Sequence, residues 1–185
     1  MTKRALILFA DGVEEVEAVA PADVLNRCGV EVIIASLHPG PVKAAYGNEI
    51  GTHTTLRQVG EELYDALVIP GGAKNAESLA ADELVVKVVR RHVHEGRLVA
   101  SLCASPGTVL AEAAQVLAGV RATGDPGFNN KLAAGGAVVS DEDVVVGDQF
   151  VTARGPGAAL RFGLAVAEKL VGSEMPNELR AKWRL

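Results

Sequence analysis

One cysteine of this sequence lies where a thiol could act as a nucleophile. Cys103 follows the apolar run 97–102, which predicts a buried strand, and precedes a helical stretch at about 105–118. The N–H groups and the dipole at a helix amino terminus lower the pKa of a thiol, so we expect Cys103 to titrate well below about 8.5. A buried core cysteine is the competing interpretation. Cys28 ends the first predicted helix, where the dipole disfavours a thiolate, and is interpreted as a packing residue.

A second chemical group, the Glu17 carboxyl, is predicted on the apolar face of the first helix. Val13, Glu17, Ala20 and Val24 recur at spacings of four and three and therefore share one helical face. Burial raises the pKa of a carboxyl, and a protonated carboxyl can donate a hydrogen bond to a neighbouring thiolate. A glutamate at the rim that points to solvent is the alternative.

The pair Gly71-Gly72 follows the apolar run 65–70. The sequence around it does not match the glycine-rich nucleotide-binding motifs. A plain turn is one interpretation. The other is that these glycines let backbone N–H groups approach a reacting oxygen, together with the amide of Ala104.

These groups must be positioned by the surrounding secondary structure. Short apolar runs alternate along the chain with longer amphipathic stretches, which predicts an α/β fold. The runs are β-branched and nearly continuous, as expected of parallel strands covered on both faces. A turn pair between two β-rich runs within 137–153 predicts a small hairpin. We therefore expect a three-layer sandwich with a mostly parallel sheet, whose site lies at the carboxyl ends of the strands. The predicted strands are 4–10, 30–36, 65–70 and 97–102, and the predicted helices are about 14–28, 75–95, 105–118 and 156–171.

Length and charge narrow the class of protein. The 185 residues predict one domain spanning 1–185, and a net charge of −5 disfavours binding to nucleic acid or to anionic membranes. Two cysteines without metal-ligand spacing predict neither a disulfide framework nor a metal site, and they fit a reducing, cytoplasmic compartment. The apolar run near the amino terminus is too short for a membrane span and lacks a cleavage-site pattern, so we expect neither a signal peptide nor a membrane segment.

Four motifs, in order and at about the expected spacing, resemble the ThiJ/PfpI superfamily from end to end. The chain is most similar to the parkinsonism-associated (DJ-one) branch of that superfamily. The motifs are Glu14-Glu15-Val16-Glu17-Ala18-Val19, Val68-Ile69-Pro70-Gly71-Gly72, Ser101-Leu102-Cys103-Ala104-Ser105-Pro106 and Ala153-Arg154-Gly155-Pro156-Gly157.

The resemblance implies a flavodoxin-like fold, a homodimer and a site that needs no cofactor. It implies that Cys103 is an oxidisable nucleophile, that Glu17 is its protonated partner and acid/base, and that the amides of Gly72 and Ala104 stabilise an oxyanion. Gly71 and Arg154 are assigned to positions around this site. The implied activities are conversion of methylglyoxal or glyoxal to hydroxy acids, deglycation of early glycated amines, and a redox-sensing or chaperone role in oxidative stress.

One departure from the resemblance concerns Asp125, which stands where that branch usually has histidine. The sequence Asp-Pro-Gly is also ordinary turn chemistry, so Asp125 is interpreted as a turn residue or, alternatively, as a catalytic aspartate. All four histidines precede Cys103, and we expect His92 and His94 on the solvated side of their helix. Ala104 follows Cys103 where the peptidase branch has histidine, which disfavours proteolysis and amide transfer. A glyoxalase or deglycase, a redox sensor or chaperone, and a non-catalytic scaffold remain as hypotheses.

Overall fold

The apolar runs form a seven-stranded sheet in the computed structural model, which describes residues 2–185. Six strands are parallel, and only β10, at one edge, is antiparallel to its neighbour. In spatial order the strands are β10 (Val144–Val146), β11 (Phe150–Ala153), β7 (Leu98–Leu102), β6 (Ala66–Ile69), β1 (Arg4–Phe9), β2 (Glu31–Ser36) and β5 (Thr54–Thr55).

Helices cover both faces of this sheet, and a separate apolar core fills each interface. On one face lie α1 (Glu15–Arg27), α6 (Ala159–Val171) and α7 (Glu174–Trp183). On the other face lie α3 (Ala73–Ala81), α4 (Glu83–His94), a π-helix (Pro106–Ala113) and α5 (Asn129–Ala134). The flavodoxin-like three-layer sandwich and the β10–β11 hairpin are confirmed.

Short elements connect these layers. They are the antiparallel pair β3 (Val42–Lys43) and β4 (Glu49–Ile50), the helix α2 (Leu56–Val59), the parallel pair β8 (Arg121–Ala122) and β9 (Val138–Val139), and two 3-10 turns (Pro126–Phe128 and Pro156–Ala158). The β3–β4 hairpin was not predicted, because two-residue strands carry no periodicity that a sequence pattern could detect. None of the described helices combines the length and apolarity needed to cross a membrane.

Two predicted helices differ in detail from the observed ones. The stretch 75–95 forms two helices because Asp82 interrupts it and caps α4, accepting from the N–H groups of Leu84 and Val85. The stretch 105–118 is a wider π-helix, and it ends before Gln115, which adopts a left-handed φ of 56°. The remaining predicted strands and helices agree with the structure to within a few residues.

The topology brings the loops of interest together. β1 pairs with β2 on one side and with β6 on the other, so the order of the strands reverses between β1 and β6. In open parallel sheets the crevice at such a switch point is the usual ligand site. The segments that follow β1, β6 and β7 carry Glu17, Gly71-Gly72 and Cys103, respectively.

Candidate active site

Cys103 occupies a sharp turn between β7 and the π-helix, with a left-handed φ of 61°. This conformation costs a residue with a side chain about 1–2 kcal/mol, so the surrounding structure must hold it. Its N–H donates to the Ala153 carbonyl at 2.9 Å, and its carbonyl accepts from the Asp125 N–H at 2.8 Å. The thiol is partly exposed, which makes Cys103 accessible and excludes the buried core alternative.

Glu17 is fully buried, as its place on the apolar face of α1 predicts. Its Oε2 accepts a hydrogen bond from the Gly71 N–H at 2.7 Å. Its Oε1 is also buried and has no hydrogen-bond partner within the part of the chain that the structure describes. A buried carboxyl oxygen without a partner is costly, which is typical of a group retained for chemistry.

Gly71 allows the carboxyl and the thiol to approach each other. A Cβ on this residue would lie 2.4 Å from the Cys103 Cβ and 2.5 Å from Glu17 Oε2. Gly72 has a φ of 94°, and a Cβ there would lie 2.1 Å from the carbonyl oxygen of Gly12. The glycine pair is therefore required by close packing of three loops, in addition to forming a turn.

Burial shifts the proton equilibria of both groups. It raises the pKa of Glu17 to about 7, although the Gly71 N–H and the thiol act in the opposite direction. Burial, followed by the charge of Glu17, raises the pKa of Cys103 to about 12. The nearby N–H groups of Gly72 and Ala104 lower that pKa, but by less.

The prediction that the pKa of Cys103 is lowered is therefore wrong. Beside an ionised Glu17, the pKa of this thiol is raised. Desolvation and a neighbouring carboxylate outweigh the helix terminus and the two N–H donors. Around neutral pH the proton resides on the sulfur, and the carboxyl is divided between its two forms. In its ionised form, the Glu17 carboxylate beside the protonated thiol is positioned to remove the thiol proton when the sulfur reacts.

Two polar residues that the sequence did not indicate connect the site loops. The side chain of Asn75 accepts from the Ala10 N–H at 2.6 Å and donates to the carbonyls of Pro70 and Gly71. The Ser105 hydroxyl donates to the Pro70 carbonyl at 2.6 Å. Both side chains are fully buried. The bonds of Asn75 to Ala10 and of Ser105 to Pro70 join residues remote in sequence, so no local pattern could have revealed them.

The thiol opens into a cavity of about 620 Å³, which Gly72 and Ala104 also line. Asp125 lies in the wall of this cavity, and its carboxylate accepts from the Gly127 N–H at 2.7 Å. Asp125 thus has the turn-capping contact expected of an Asp-Pro-Gly sequence. Arg154 does not line the cavity: its guanidinium donates to the Asp141 carbonyl at 3.1 Å.

The histidine prediction is wrong for His92, which is buried between α4 and the sheet, whereas His94 is exposed. His92 turns inward because its ring bonds the carbonyl of Val88 and accepts the N–H of Tyr64. Cys28 is buried in the core, as a packing residue should be. Within residues 2–185 no three His, Cys, Asp or Glu side chains group as metal ligands would.

Comparison with known proteins identifies closely similar sequences and folds. A sequence profile of the DJ-1/PfpI family matches residues 3–169. The chain is 37% identical to Protein dj-1beta of Drosophila melanogaster, over 97% of this chain and 95% of that protein. It is 34% identical to the Glutathione-independent glyoxalase DJR-1.2 of Caenorhabditis elegans, over 96% and 94%, respectively. The crystal structure of Drosophila melanogaster DJ-1beta superposes with a TM-score of 0.95 and 35% identity, covering 100% of this chain and 99% of that one.

Proposed function

The chain belongs to the DJ-1/PfpI family, and on that premise we propose that it is a cofactor-independent glyoxalase. Its substrates would be methylglyoxal and glyoxal, and its products the corresponding 2-hydroxy acids. The observation that carries the proposal is the close approach of the buried, incompletely bonded Glu17 carboxyl to Cys103, a partly exposed residue that lines a cavity. One relative is named a glyoxalase, which supports a small dicarbonyl as the substrate class.

The first step is attack of the sulfur on the aldehyde carbon of methylglyoxal. Ionised Glu17 takes the thiol proton as the carbon–sulfur bond forms and the carbonyl π bond breaks. The N–H groups of Gly72 and Ala104, which lower the pKa of Cys103 and so lie near its sulfur, would donate to the new oxyanion. Each such donor typically contributes about 3–4 kcal/mol. Protonated Glu17 then delivers its proton to the oxyanion and completes the hemithioacetal.

The second step moves a proton between the two carbons. Glu17, ionised again, removes the hydrogen from the former aldehyde carbon and generates an enediol. It returns that proton to the neighbouring carbon, while the hydroxyl proton passes between the two oxygens. The aldehyde carbon is thereby oxidised and the ketone carbon reduced, so the electrons balance within the substrate. A carboxyl with a pKa of about 7 serves both as donor and as acceptor near neutral pH.

The third step releases the product. The rearranged intermediate is a thioester of lactate with Cys103, and water attacks its carbonyl carbon. The carbon–sulfur bond breaks, the sulfur regains a proton and lactate leaves. The sum is one methylglyoxal plus one water giving lactate and a proton. The same thiol and carboxyl would act on the early adducts of these aldehydes with amines, which is the proposed deglycase activity.

Redox sensing with a chaperone role is the second candidate function, and the backbone at the sulfur favours it. The N–H groups of Gly72 and Ala104 lie near the sulfur and could donate to the oxygens of a sulfinate. In that reaction one thiol and two molecules of hydrogen peroxide give one sulfinic acid and two of water. Cys103 is partly exposed, and ionised Glu17 would take the thiol proton as the sulfur reacts with peroxide.

Lactate formation from methylglyoxal by wild type, Cys103→Ser and Cys28→Ala tests the proposal. The Cys103 variant should lose at least about a thousandfold in turnover, because it removes the nucleophile. Cys28→Ala is the matched control and should keep turnover, since that thiol lies in the core. If wild type forms no lactate, glyoxalase activity is rejected. Uptake of two oxygen atoms by Cys103 in mild peroxide, read by intact mass, would then favour the redox function.

A homodimer is the assembly we propose, and α1 presents a surface for it. Val16 and Val19 are three residues apart on α1, and both are about half exposed, at 48% and 53%. An apolar strip of this kind on a helix next to the site is suited to a second copy of the chain. Sedimentation at micromolar concentration should give about twice 19.2 kDa. We place the protein in the cytoplasm because both cysteines are free thiols.

A further inference from the structure

Two lysines lie in the wall of the cavity that contains Cys103, namely Lys43 and Lys74. Both are exposed, and within residues 2–185 neither ammonium forms an ion pair or a hydrogen bond. Three other lysines, Lys3, Lys87 and Lys131, are paired with carboxylates, whereas the remaining two lie on α6 and α7, outside this cavity. Two cations without a carboxylate partner therefore border the cavity that contains the nucleophile, in a chain whose net charge is −5.

The turn Asp11-Gly12 holds both lysines on the same wall. The Gly12 N–H donates to the Lys43 carbonyl at 2.7 Å, and the Lys43 N–H donates to the Asp11 carboxylate at 3.0 Å. A Cβ on Gly12 would lie 2.6 Å from the Cβ of Lys74 and 3.1 Å from its Cγ, so the stem of Lys74 passes directly over this glycine. The Asp11-Gly12 turn thus holds the backbone of Lys43 and lies against the stem of Lys74.

The position of Lys74 is unfavourable for the helix that carries it. It is the second residue of α3, whose first turn contains no acidic residue and whose amino terminus has no side-chain cap. A cation there is repelled by the positive end of the helix dipole. A residue that destabilises its own helix and lies in the wall of a cavity is typical of a functional position.

The carboxylates of the same cavity are already engaged with the backbone. Glu14 accepts from the Glu17 N–H at 2.8 Å, and Asp125 accepts from the Gly127 N–H at 2.7 Å. The two carboxylates balance the formal charge of the two lysines, but because they are bonded to backbone N–H groups they leave both ammonium groups free to bind a ligand.

We infer that Lys43 and Lys74 select substrates that carry an anionic group, so that the preferred substrate class is a 2-oxoaldehyde with a carboxylate or phosphate at its far end. The inference rests on the proposed glyoxalase function for the reaction itself. The charge selection is a property of the cavity, and it can be measured without turnover.

Alkylation of Cys103 by iodoacetate and by iodoacetamide measures this selection directly. The reagents attack the same sulfur and differ in charge, so the ratio of their rates does not depend on the thiolate fraction. In Lys43→Met/Lys74→Met the ratio of the iodoacetate rate to the iodoacetamide rate should fall roughly tenfold at low ionic strength. Added salt should lower the wild-type ratio in the same direction, because these charges are exposed. Asp125→Asn should raise the ratio about twofold, since it removes a negative charge from the wall.

Lys169→Met/Lys182→Met is the matched control. It removes two exposed lysines from α6 and α7, outside the cavity, and changes the net charge equally. This control should keep the wild-type ratio. If both double variants have the same ratio, the selection is a general charge effect or absent, and the inference is wrong.

The second arm uses two 2-oxoaldehydes of equal length, 4,5-dioxopentanoate with a terminal carboxylate and 2-oxopentanal with a terminal methyl. Wild type should show a value of kcat/KM about tenfold higher for the anion, and Lys43→Met/Lys74→Met should lose that preference. If neither compound turns over while the alkylation ratio still depends on the lysines, the glyoxalase proposal fails and the anion selection stands. Turnover of both with equal kcat/KM overturns the selection and leaves the glyoxalase proposal intact.

Discussion

Glu17 and His92 are buried titratable side chains on opposite faces of the sheet, and they are bonded very differently. The His92 ring is paired at both nitrogens, with the carbonyl of Val88 at 2.8 Å and the N–H of Tyr64 at 3.2 Å. Glu17 has one oxygen bonded to the Gly71 N–H and the other without a partner. Burial favours the neutral form of each, and so it lowers the pKa of His92 and raises that of Glu17 to about 7.

The comparison separates a structural buried group from a chemical one. Desolvation alone does not distinguish the two, because it acts on both residues. The distinguishing features are an unsatisfied atom, a nucleophile in contact and a cavity within reach, and only Glu17 has all three. The histidine that the sequence assigned to solvent instead stabilises the fold.

The largest effect that sharpens this comparison is expected from Glu17→Gln. The amide keeps the shape of the side chain but cannot exchange a proton, so kcat/KM for methylglyoxal should fall about a thousandfold, nearly as far as in Cys103→Ser. Activity of the wild type should rise with pH through about 7, as the base ionises. Glu17→Gln should lack that rise. Wild-type turnover by this variant would show that the acid/base assignment is wrong.

The same variant should change the pH dependence of stability. The folded pKa of Glu17 lies above the ordinary value of 4.5, so its contribution is fully present below about pH 4.5 and is lost as pH rises through about 7. Between pH 5 and pH 8 the free energy of unfolding, measured with urea, should fall by up to about 3 kcal/mol more in wild type than in Glu17→Gln. An equal change in both proteins would contradict the raised pKa.

Gly71→Ala should give the next largest effect, because the added methyl would overlap the Cys103 Cβ and Glu17 Oε2. We expect the free energy of unfolding to fall by about 3 kcal/mol, with loss of lactate formation in the protein that remains folded. The control Gly157→Ala lies near the same edge with no heavy atom within 4 Å of the added carbon, and it should be nearly neutral. Normal activity in Gly71→Ala would mean that the two reactive groups do not need this contact.

His92→Leu should cost stability without costing catalysis. It leaves the buried Tyr64 N–H without an acceptor, so the free energy of unfolding should fall by about 2 kcal/mol. Because the folded pKa of His92 is lowered, wild type should also lose stability as pH falls below about 6.5, and the variant should lack this loss. Turnover measured well below the melting temperature should be unchanged. A large fall in turnover would give His92 a role in the site that its position does not explain.

The smallest effect is expected from Asp125→His. It removes a negative charge from the cavity wall and the cap on the Gly127 N–H, which costs about 1 kcal/mol of stability. Turnover of methylglyoxal should stay at the wild-type level or rise up to about threefold. A tenfold loss would instead identify Asp125 as a catalytic aspartate rather than a turn residue.

Features of the site that depend on one element were predictable from the sequence. The spacing of Glu17 and Val24 along α1, continued by Val13 just before it, predicts that Glu17 is buried, and all three side chains are buried in the structure. The apolar run before Cys103 likewise predicts the strand that ends at the thiol. Periodicity within a helix or a strand is set by local backbone geometry, so the residues of that element are sufficient to predict it.

Other features were decided only by the tertiary structure. The pKa of Cys103 depends on how far water is excluded and on Glu17, which reaches the thiol from another element, so a helix-terminus argument gave the wrong direction. Asn75 bonds to Ala10, 65 residues away, and Gly12 bonds to the backbone of Lys43 in a hairpin too short to predict while it lies against the stem of Lys74. His92 turns inward because Tyr64 presents an N–H to it. In each case the deciding partner is remote along the chain, and desolvation and hydrogen bonding act on distances in space, which only the folded chain determines.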